Sequence, residues 1–284
     1  MTIDSKLYKE EVRHGYDNAA PGWLKWWKTI ESATEKVSKR LVELARIKQG
    51  YNVLDIATGL GEPALTAAKQ VGTSGNILAI DISPQMLSFA KQRAVTLGLQ
   101  DIVEFKEGDA ETIDLPSSTF DAALCRWGLM FLPNPKVGLS NIYGSLVKGA
   151  HSAAAVWASP KKVPFISVPM NIVLKETNRP PPLITPGPFS MSNENNLRNL
   201  FEESGFIHPT IERINVVSNF DSTDEFTTFT VEHGGPTIQK ILAAQSNERR
   251  EQILKAISKG TVGYADDKGK VTFENEAILI VARK

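Results

Sequence analysis

Cysteine is nearly absent from this 284-residue chain, and its one example, Cys125, lies in an apolar run. A disulfide framework and a cysteine-built metal site are thereby excluded. An excess of either charge is missing as well. Basic and acidic side chains number 32 each, so no global field gathers nucleic acid or an anionic membrane. No apolar run approaches the roughly 18 residues of a membrane helix. The opening MTIDSKLYKEEVRH lacks the apolar stretch of a signal peptide. Four histidines are present, His14, His151, His208 and His233, and none has metal-ligand spacing with another His or with Cys125. What remains is the expectation of a cytoplasmic globular protein with no metal, no nucleic-acid partner and no membrane insertion. Its length is ample for a buried core. No pattern in the chain sets an oligomeric state.

What the chain does contain is a change of period. From Trp23 to Ile47 apolar and charged residues alternate at helical spacing, and Gly50 closes the segment. Then YNVLDIA, GNILAIDI, IVEFKEG, FDAALCRWGL and HSAAAVWAS read as strands separated by helical stretches. Ser83 and Pro84 occupy the N-cap and first-turn positions each favours. Strands alternating with helices of this length imply βαβ units and a parallel sheet covered on both faces. The rhythm breaks at Ser159. Eight of the sixteen prolines fall between Pro160 and Pro188, including Pro180-Pro181-Pro182. The apolar stretch FISVPMNIVLKE within this segment predicts a short helix closing over a pocket. A helix (NENNLRNLFEESG), a strand (IERINVVSNF), two or three polar helices and a last strand (KVTFENEAILIVARK) follow.

Chemistry concentrates at strand ends. In VLDIATGLGEPAL, Gly59 and Gly61 permit a tight turn before a helix N-terminus, a site suited to an anion. Gly59, Gly61 and Ala64 fit the G-x-G-x-x-G/A spacing of a dinucleotide loop. Asp81 follows Gly59 by twenty-two positions and closes the next strand, where an acid holds ribose hydroxyls. It also suits a helix N-terminus through the dipole. Gly108-Asp109-Ala110 ends the third strand and can serve an exocyclic amine beside a flat base, although Gly-Asp is equally turn chemistry. A pyrophosphate or the amino-acid end of another cofactor could each occupy the first loop on this pattern alone.

Together VLDIATGLGEPAL, ILAIDISPQML, VEFKEGDAETIDLP and FDAALCRWGLMFLPNP resemble the class I S-adenosylmethionine-dependent methyltransferases, in family order and spacing. The flavour is similar to the ubiquinone/menaquinone-biosynthesis enzymes, and the resemblance is strong over residues 50–158. It implies an α/β, Rossmann-like, doubly wound sheet of seven mostly parallel strands with an antiparallel final strand. It further implies one domain, with an N-terminal helical cap (1–49), a cofactor-binding core (50–158), a Pro-rich cap insertion (159–192) and a C-terminal part completing the sheet (193–284). S-adenosylmethionine would be the cofactor, S-adenosylhomocysteine the product, and a small molecule the methyl acceptor. Asp55 would orient the amino-acid end through water or the loop backbone, and Ala57, Thr58, Gly59 and Gly61 would line that end, with Ala57 where many members carry glycine. Asp81 would take the ribose hydroxyls, Ile82 and Met86 the adenine faces, and Asp109 and Ala110 the adenine edge. Arg126 would meet the methionine portion. Tyr16, expected in a loop between helices, would close over the cofactor. Two departures stand out: Lys148-Gly149-Ala150-His151 replaces a Pro-Gly-Gly-Arg-like turn, and no Pro-Pro-Tyr motif follows the fourth strand. The second speaks against nucleic-acid and protein-amide substrates, and the single cysteine against arsenite.

Trp23, Trp26 and Trp27 cluster near the start of the chain, where an aromatic face suits a sulfonium and equally anchors a helix on the core. Trp127, Met130, Phe131, Phe165 and Met170 are the expected acceptor lining, which suggests a lipophilic or aromatic molecule. No indispensable catalytic side chain emerges; His14, Tyr16 and His233 are the candidates for a general base. Methyl transfer from a sulfonium asks mainly for alignment and exclusion of water. An NAD-dependent oxidoreductase would explain Gly-x-Gly-x-x-Ala and Asp81 but not Asp55 or Gly-Asp-Ala. A non-catalytic cofactor-binding protein on the same fold is the other reading.

Overall fold

A computed structural model describes residues 4–181 and 186–284. Two helices, α1 (Ser5–Lys25) and α2 (Trp27–Leu44), precede an alternating series. It runs β1 (Asn52–Ile56), α3 (Ala64–Val71), β2 (Asn76–Asp81), α4 (Pro84–Thr96), β3 (Val103–Glu107), β4 (Phe120–Arg126), α5 (Pro135–Ser145) and β5 (Leu146–Trp157). There follow α6 (Pro164–Glu176), α7 (Glu194–Glu203), β6 (Ile207–Phe220), α8 (Thr223–His233), α9 (Pro236–Ala243), α10 (Asn247–Gly260) and β7 (Val271–Arg283). The seven strands form one sheet in the order β3-β2-β1-β4-β5-β7-β6. β1 to β5 are parallel, and β7 runs antiparallel between β5 and β6, as the resemblance implied. Strand order reverses between β1 and β4, and ligands of open α/β sheets lie at the carboxyl ends of such strands.

Local chemistry accounts for the elements. β1 and β4 bury Val53, Leu54, Ile56, Ala122, Ala123 and Leu124 on both faces, which is what helices on either side require. Ser83 caps α4, its Oγ accepting the Met86 N–H at 3.1 Å, with Pro84 in the first turn. Ala153, Ala154 and Ala155 in β5 are fully buried, and small side chains there let a helix lie close on the sheet. A second apolar cluster lies under the C-terminal helices, built on Phe220, Phe226, Phe229, Ile253, Ile257 and Phe273.

Three expectations change. Tyr16 sits within α1, not in a loop. Gly15, Asn18 and Pro21 are loop signals, but Ala19 and Ala20 are fully buried and Asp17 accepts the Ser83 hydroxyl at 2.6 Å, so packing overrides propensity. The helix expected over Trp23–Ile47 is two helices. At Trp26 the backbone leaves helical values (φ −91°, ψ 8°), and its indole N–H reaches Glu232 at 2.6 Å while Trp27 lies under Arg93. Lys148–His151 is not a turn before the fifth strand but lies inside β5, where Gly149 adopts φ +85° and the register to β4 shifts. The proline-rich segment is helical over α6; Pro182 and residues 183–185 of the expected insertion lie outside the described residues. Among the described residues no helix is long and apolar enough to cross a membrane.

Candidate functional site

At the carboxyl ends of β1, β2, β3 and β4 lies a cavity of about 330 Å³, roofed by α1, α6 and α8. Its floor is the loop after β1. The chain reverses there through Ala57 (φ +58°), Gly59 (φ +56°) and Gly61 (φ +95°), and at the end of β4 through Trp127 (φ +58°). Left-handed backbone at two non-glycine residues flanking the strand-order reversal is strain of the kind that collects at functional sites. Gly128 is required beside them: a Cβ there would stand 2.4 Å from the Ala57 Cβ and 2.8 Å from the Cys125 Sγ.

The loop's N–H groups are already engaged. Thr58 N donates to Ile80 O at 3.0 Å, and Gly61 N and Glu62 N both donate to Thr58 O. Gly59 N donates to Asp81 Oδ2 at 2.7 Å and Ala64 N to Asp55 Oδ2 at 3.1 Å. Asp81 Oδ1 accepts the Ser83 N–H at 2.9 Å. Burial pushes its carboxyl up to about 6, against the opposing pull of the Ser83, Gly59 and Ile82 N–H groups. Burial pushes Asp55 further, to about 7, with the Thr58 hydroxyl, the Ala64 N–H and the Arg126 charge opposing.

The rest of the rim is charged in pairs. Asp109 Oδ1 accepts the Glu111 N–H, and its Oδ2 accepts the Lys9 ammonium of α1 at 2.7 Å; Lys9 also reaches Glu111 at 2.7 Å. Arg126 donates to Thr34 Oγ1 at 3.0 Å and Ser38 Oγ at 2.8 Å, both on α2. Burial lowers the Arg126 pKa while Glu62, Glu31 and Asp55 support its charge. Glu31 in turn is pushed up to about 7, by burial and by Glu62.

Opposite this polar end the wall is aromatic. Trp127 stacks on Trp157 with centroids 4.4 Å apart, and Trp157 meets Phe165 edge-on at 5.5 Å. Tyr16 lies 6.0 Å from Phe131 and 6.4 Å from Trp23, and Trp23 lies 4.1 Å from the His233 ring. Burial raises the Tyr16 phenol well above its ordinary range and drops the His233 imidazole to about 3.

The structure gathers most of the expected site residues around this one cavity. Tyr16, Ala57, Thr58, Gly59, Asp81, Ile82, Met86, Asp109, Ala110 and Arg126 line it, and so do Trp127, Met130, Phe131, Phe165, Met170 and His233. Gly61 does not line the cavity, and Asp55 acts from behind the loop on its backbone, fully buried under the α3 N-terminus with the Ala64 N–H on its Oδ2. His14 does not reach the cavity; it is exposed on α1 beside the Arg13 guanidinium, 2.8 Å away. As a base, His233 is disfavoured by its depressed pKa, which leaves it neutral but weakly basic. Sequence reasoning missed Lys9, Glu62, Thr34, Ser218 and Thr230, all of which line the cavity. Lys9, Thr34, Ser218 and Thr230 are ordinary polar residues on helices or a strand with no motif around them, and Glu62 stands inside the first loop motif without belonging to its glycine spacing.

Residues 53–149 match the family model described as "Methyltransferase domain". The chain is 28% identical over 144 residues to a demethylmenaquinone methyltransferase of Lactobacillus johnsonii, covering 50% of this chain and 59% of that protein. It is 31% identical over 158 residues to an aklanonic acid methyltransferase of a Streptomyces species, covering 56% of this chain and 69% of that protein. Thus the matched stretch spans less than two thirds of the first of these relatives. In fold, the chain is similar to the YcgJ protein of Bacillus subtilis, with a TM-score of 0.59 at 17% identity, covering 88% of this chain and 98% of that one.

Proposed function

Because the chain belongs to the class I S-adenosylmethionine-dependent methyltransferases, of the ubiquinone/menaquinone-biosynthesis type, we propose that it methylates an apolar, ring-bearing small molecule. The observation that carries the choice of cofactor is the engagement of the first loop. A dinucleotide loop turns its N–H groups toward a pyrophosphate. Here the N–H groups of Thr58, Gly59, Gly61, Glu62 and Ala64 are bound to the protein's own oxygens, two of them carboxylates. Asp81 and Glu62 bring carboxyl groups to this end, Glu62 beside Arg93 at 3.3 Å, and Arg126 adds a cation, a mixed set that suits a ligand end bearing both an ammonium group and a carboxylate.

The residues present fit S-adenosylmethionine. Asp81, at the carboxyl end of β2 and lining the cavity, is the acceptor for a pair of ribose hydroxyls. Ile82 and Met86 offer an apolar face to the base, and Asp109 with the Ala110 N–H its edge. Thr58 lines the cavity beside Glu62 at the amino-acid end, its hydroxyl set against the buried Asp55 carboxyl. Arg126 supplies the complementary charge for a carboxylate. When bound, the cofactor supplies a methyl group activated by its sulfonium charge.

The chain's own part is positioning. Alignment of two reactants contributes about 7–11 kcal/mol of barrier reduction, and one general base about 10²–10⁴ in rate. The aromatic walls of α1, α6 and α8 exclude water, and Trp127 with Trp157 gives a flat acceptor a stacking surface. The relative from Lactobacillus johnsonii is named for a quinone-type acceptor, and a flat oxygenated ring suits this lining. Calorimetric titration with S-adenosylhomocysteine and with NAD tests the reading. Binding of S-adenosylhomocysteine alone is expected; binding of NAD alone would overturn it.

A further inference from the structure

The apolar end of the cavity contains polar atoms with no partner among the described residues: Trp127 Nε1 on the stacked tryptophan pair, and two more that meet at one corner. Trp23 Nε1 and Thr230 Oγ1 are both shielded from solvent and have no hydrogen-bond partner among the described residues. Thr230 is 4% exposed, and both residues line the cavity. They share one corner. Thr230 and His233 lie three residues apart on α8 and so face the same side of that helix, and the His233 ring rests 4.1 Å from Trp23. Gly22 makes the corner possible: a Cβ there would fall 1.9 Å from the Glu232 carbonyl oxygen, so only glycine lets α1 approach α8 this closely.

A buried polar group without a partner is costly, and an indole N–H can only donate. A corner holding a donor-only indole and a hydroxyl calls for an oxygen acceptor on the ligand. Apart from His233, which burial keeps neutral, no acidic or basic side chain among the described residues lines this end; Lys9, Glu62, Asp81, Asp109 and Arg126 all belong to the strand-end loops or the rim above them. We infer that Trp23 and Thr230 anchor a carbonyl, ether or phenol oxygen of the methyl acceptor. This rests on the reading of the cavity as a methyltransferase site and adds a specificity determinant to it. The corner selects apolar rings bearing an uncharged oxygen over bare hydrocarbons, which leave both donors unpaired, and over ammonium groups, which find no anion.

The test uses the full chain saturated with S-adenosylhomocysteine and two probes of like shape, 1-tetralone and tetralin, titrated by calorimetry. The ketone is expected to bind about fivefold to tenfold more tightly than the hydrocarbon, the gain of one or two hydrogen bonds. Thr230→Val and Trp23→Phe should each reduce that preference about threefold or more, and Thr230→Ser should restore it. Thr230→Val should also raise the melting temperature, because it removes an unsatisfied buried hydroxyl while keeping the side chain's shape; a merely structural threonine would give the opposite sign. Equal affinity for the two probes, or a preference that survives both substitutions, overturns the inference. If S-adenosylhomocysteine binds while the preference is missing, the oxygen site alone fails. If the preference persists but S-adenosylhomocysteine does not bind, the methyltransferase reading fails instead.

Discussion

Replacing Asp55 by asparagine should make the free protein more stable at pH 7.5 and less able to hold its cofactor. Burial raises the Asp55 carboxyl from 3.8 to about 7. At about 1.36 kcal/mol per pH unit, keeping it ionised costs the folded state about 4 kcal/mol above pH 7. The sign follows from linkage. Stability contributed by the protonated carboxyl is complete below pH 3.8 and is lost as pH rises through about 7. Asparagine keeps an acceptor for the Ala64 N–H and never ionises. Two effects reduce the gain: Arg126 loses one of the anions that support its charge, and the new amide N–H₂ needs partners. A net gain of about 1–3 kcal/mol remains, or roughly 2–4 °C in Tm for each kcal/mol. Melting both proteins from pH 4 to pH 8 isolates Asp55 from every other carboxylate, since only the difference between the curves is read. That difference should be near zero at pH 4 and grow to a plateau above pH 7. A variant less stable than the parent at pH 7.5, or an advantage indifferent to pH, would refute the reasoning.

Further expectations can be read by simple assays. Asp81→Asn should weaken S-adenosylhomocysteine about 10–100-fold by calorimetry, through lost charge-assisted hydrogen bonds; unchanged affinity would remove Asp81 from the site. Gly128→Ala should destabilise the protein by about 1–3 kcal/mol in denaturant melts, because the new methyl collides with Ala57 and Cys125 beneath the cavity. The pH profile of methyl transfer should lack a limb near 6.5 due to His233, whose pKa burial lowers to about 3; a limb that His233→Asn abolishes would contradict this.

The cofactor half of the molecule was legible because its signals are local. Gly59, Gly61, Ser83 and Pro84 act within a few residues of themselves, fixing a left-handed turn or a cap whatever the rest of the chain does. Alternating strands and helices then dictate the parallel sheet. The acceptor half was legible only in part. Tyr16 was misplaced because Gly15, Asn18 and Pro21 carry loop signals that burial of Ala19 and Ala20 overrides. Phe165 and Met170 were foreseen as lining from their place in the proline-rich segment. Phe220, Phe229, Thr230 and Lys9 were not, since an aromatic or polar residue facing a cavity looks in sequence like one facing the core or solvent. Their meeting depends on α1 closing over the sheet beside α6 and α8, which lie more than a hundred residues further along the chain.

The most direct test of methyl-donor binding is a crystal structure of the full chain with S-adenosylhomocysteine. The expected result is ribose hydroxyls on Asp81, adenine between Ile82, Met86 and Asp109, and the sulfur facing the lobe lined by Trp127 and Trp157. An adenine lodged in that aromatic lobe, or a ligand bound away from the carboxyl ends of β1 and β2, would contradict the assignment.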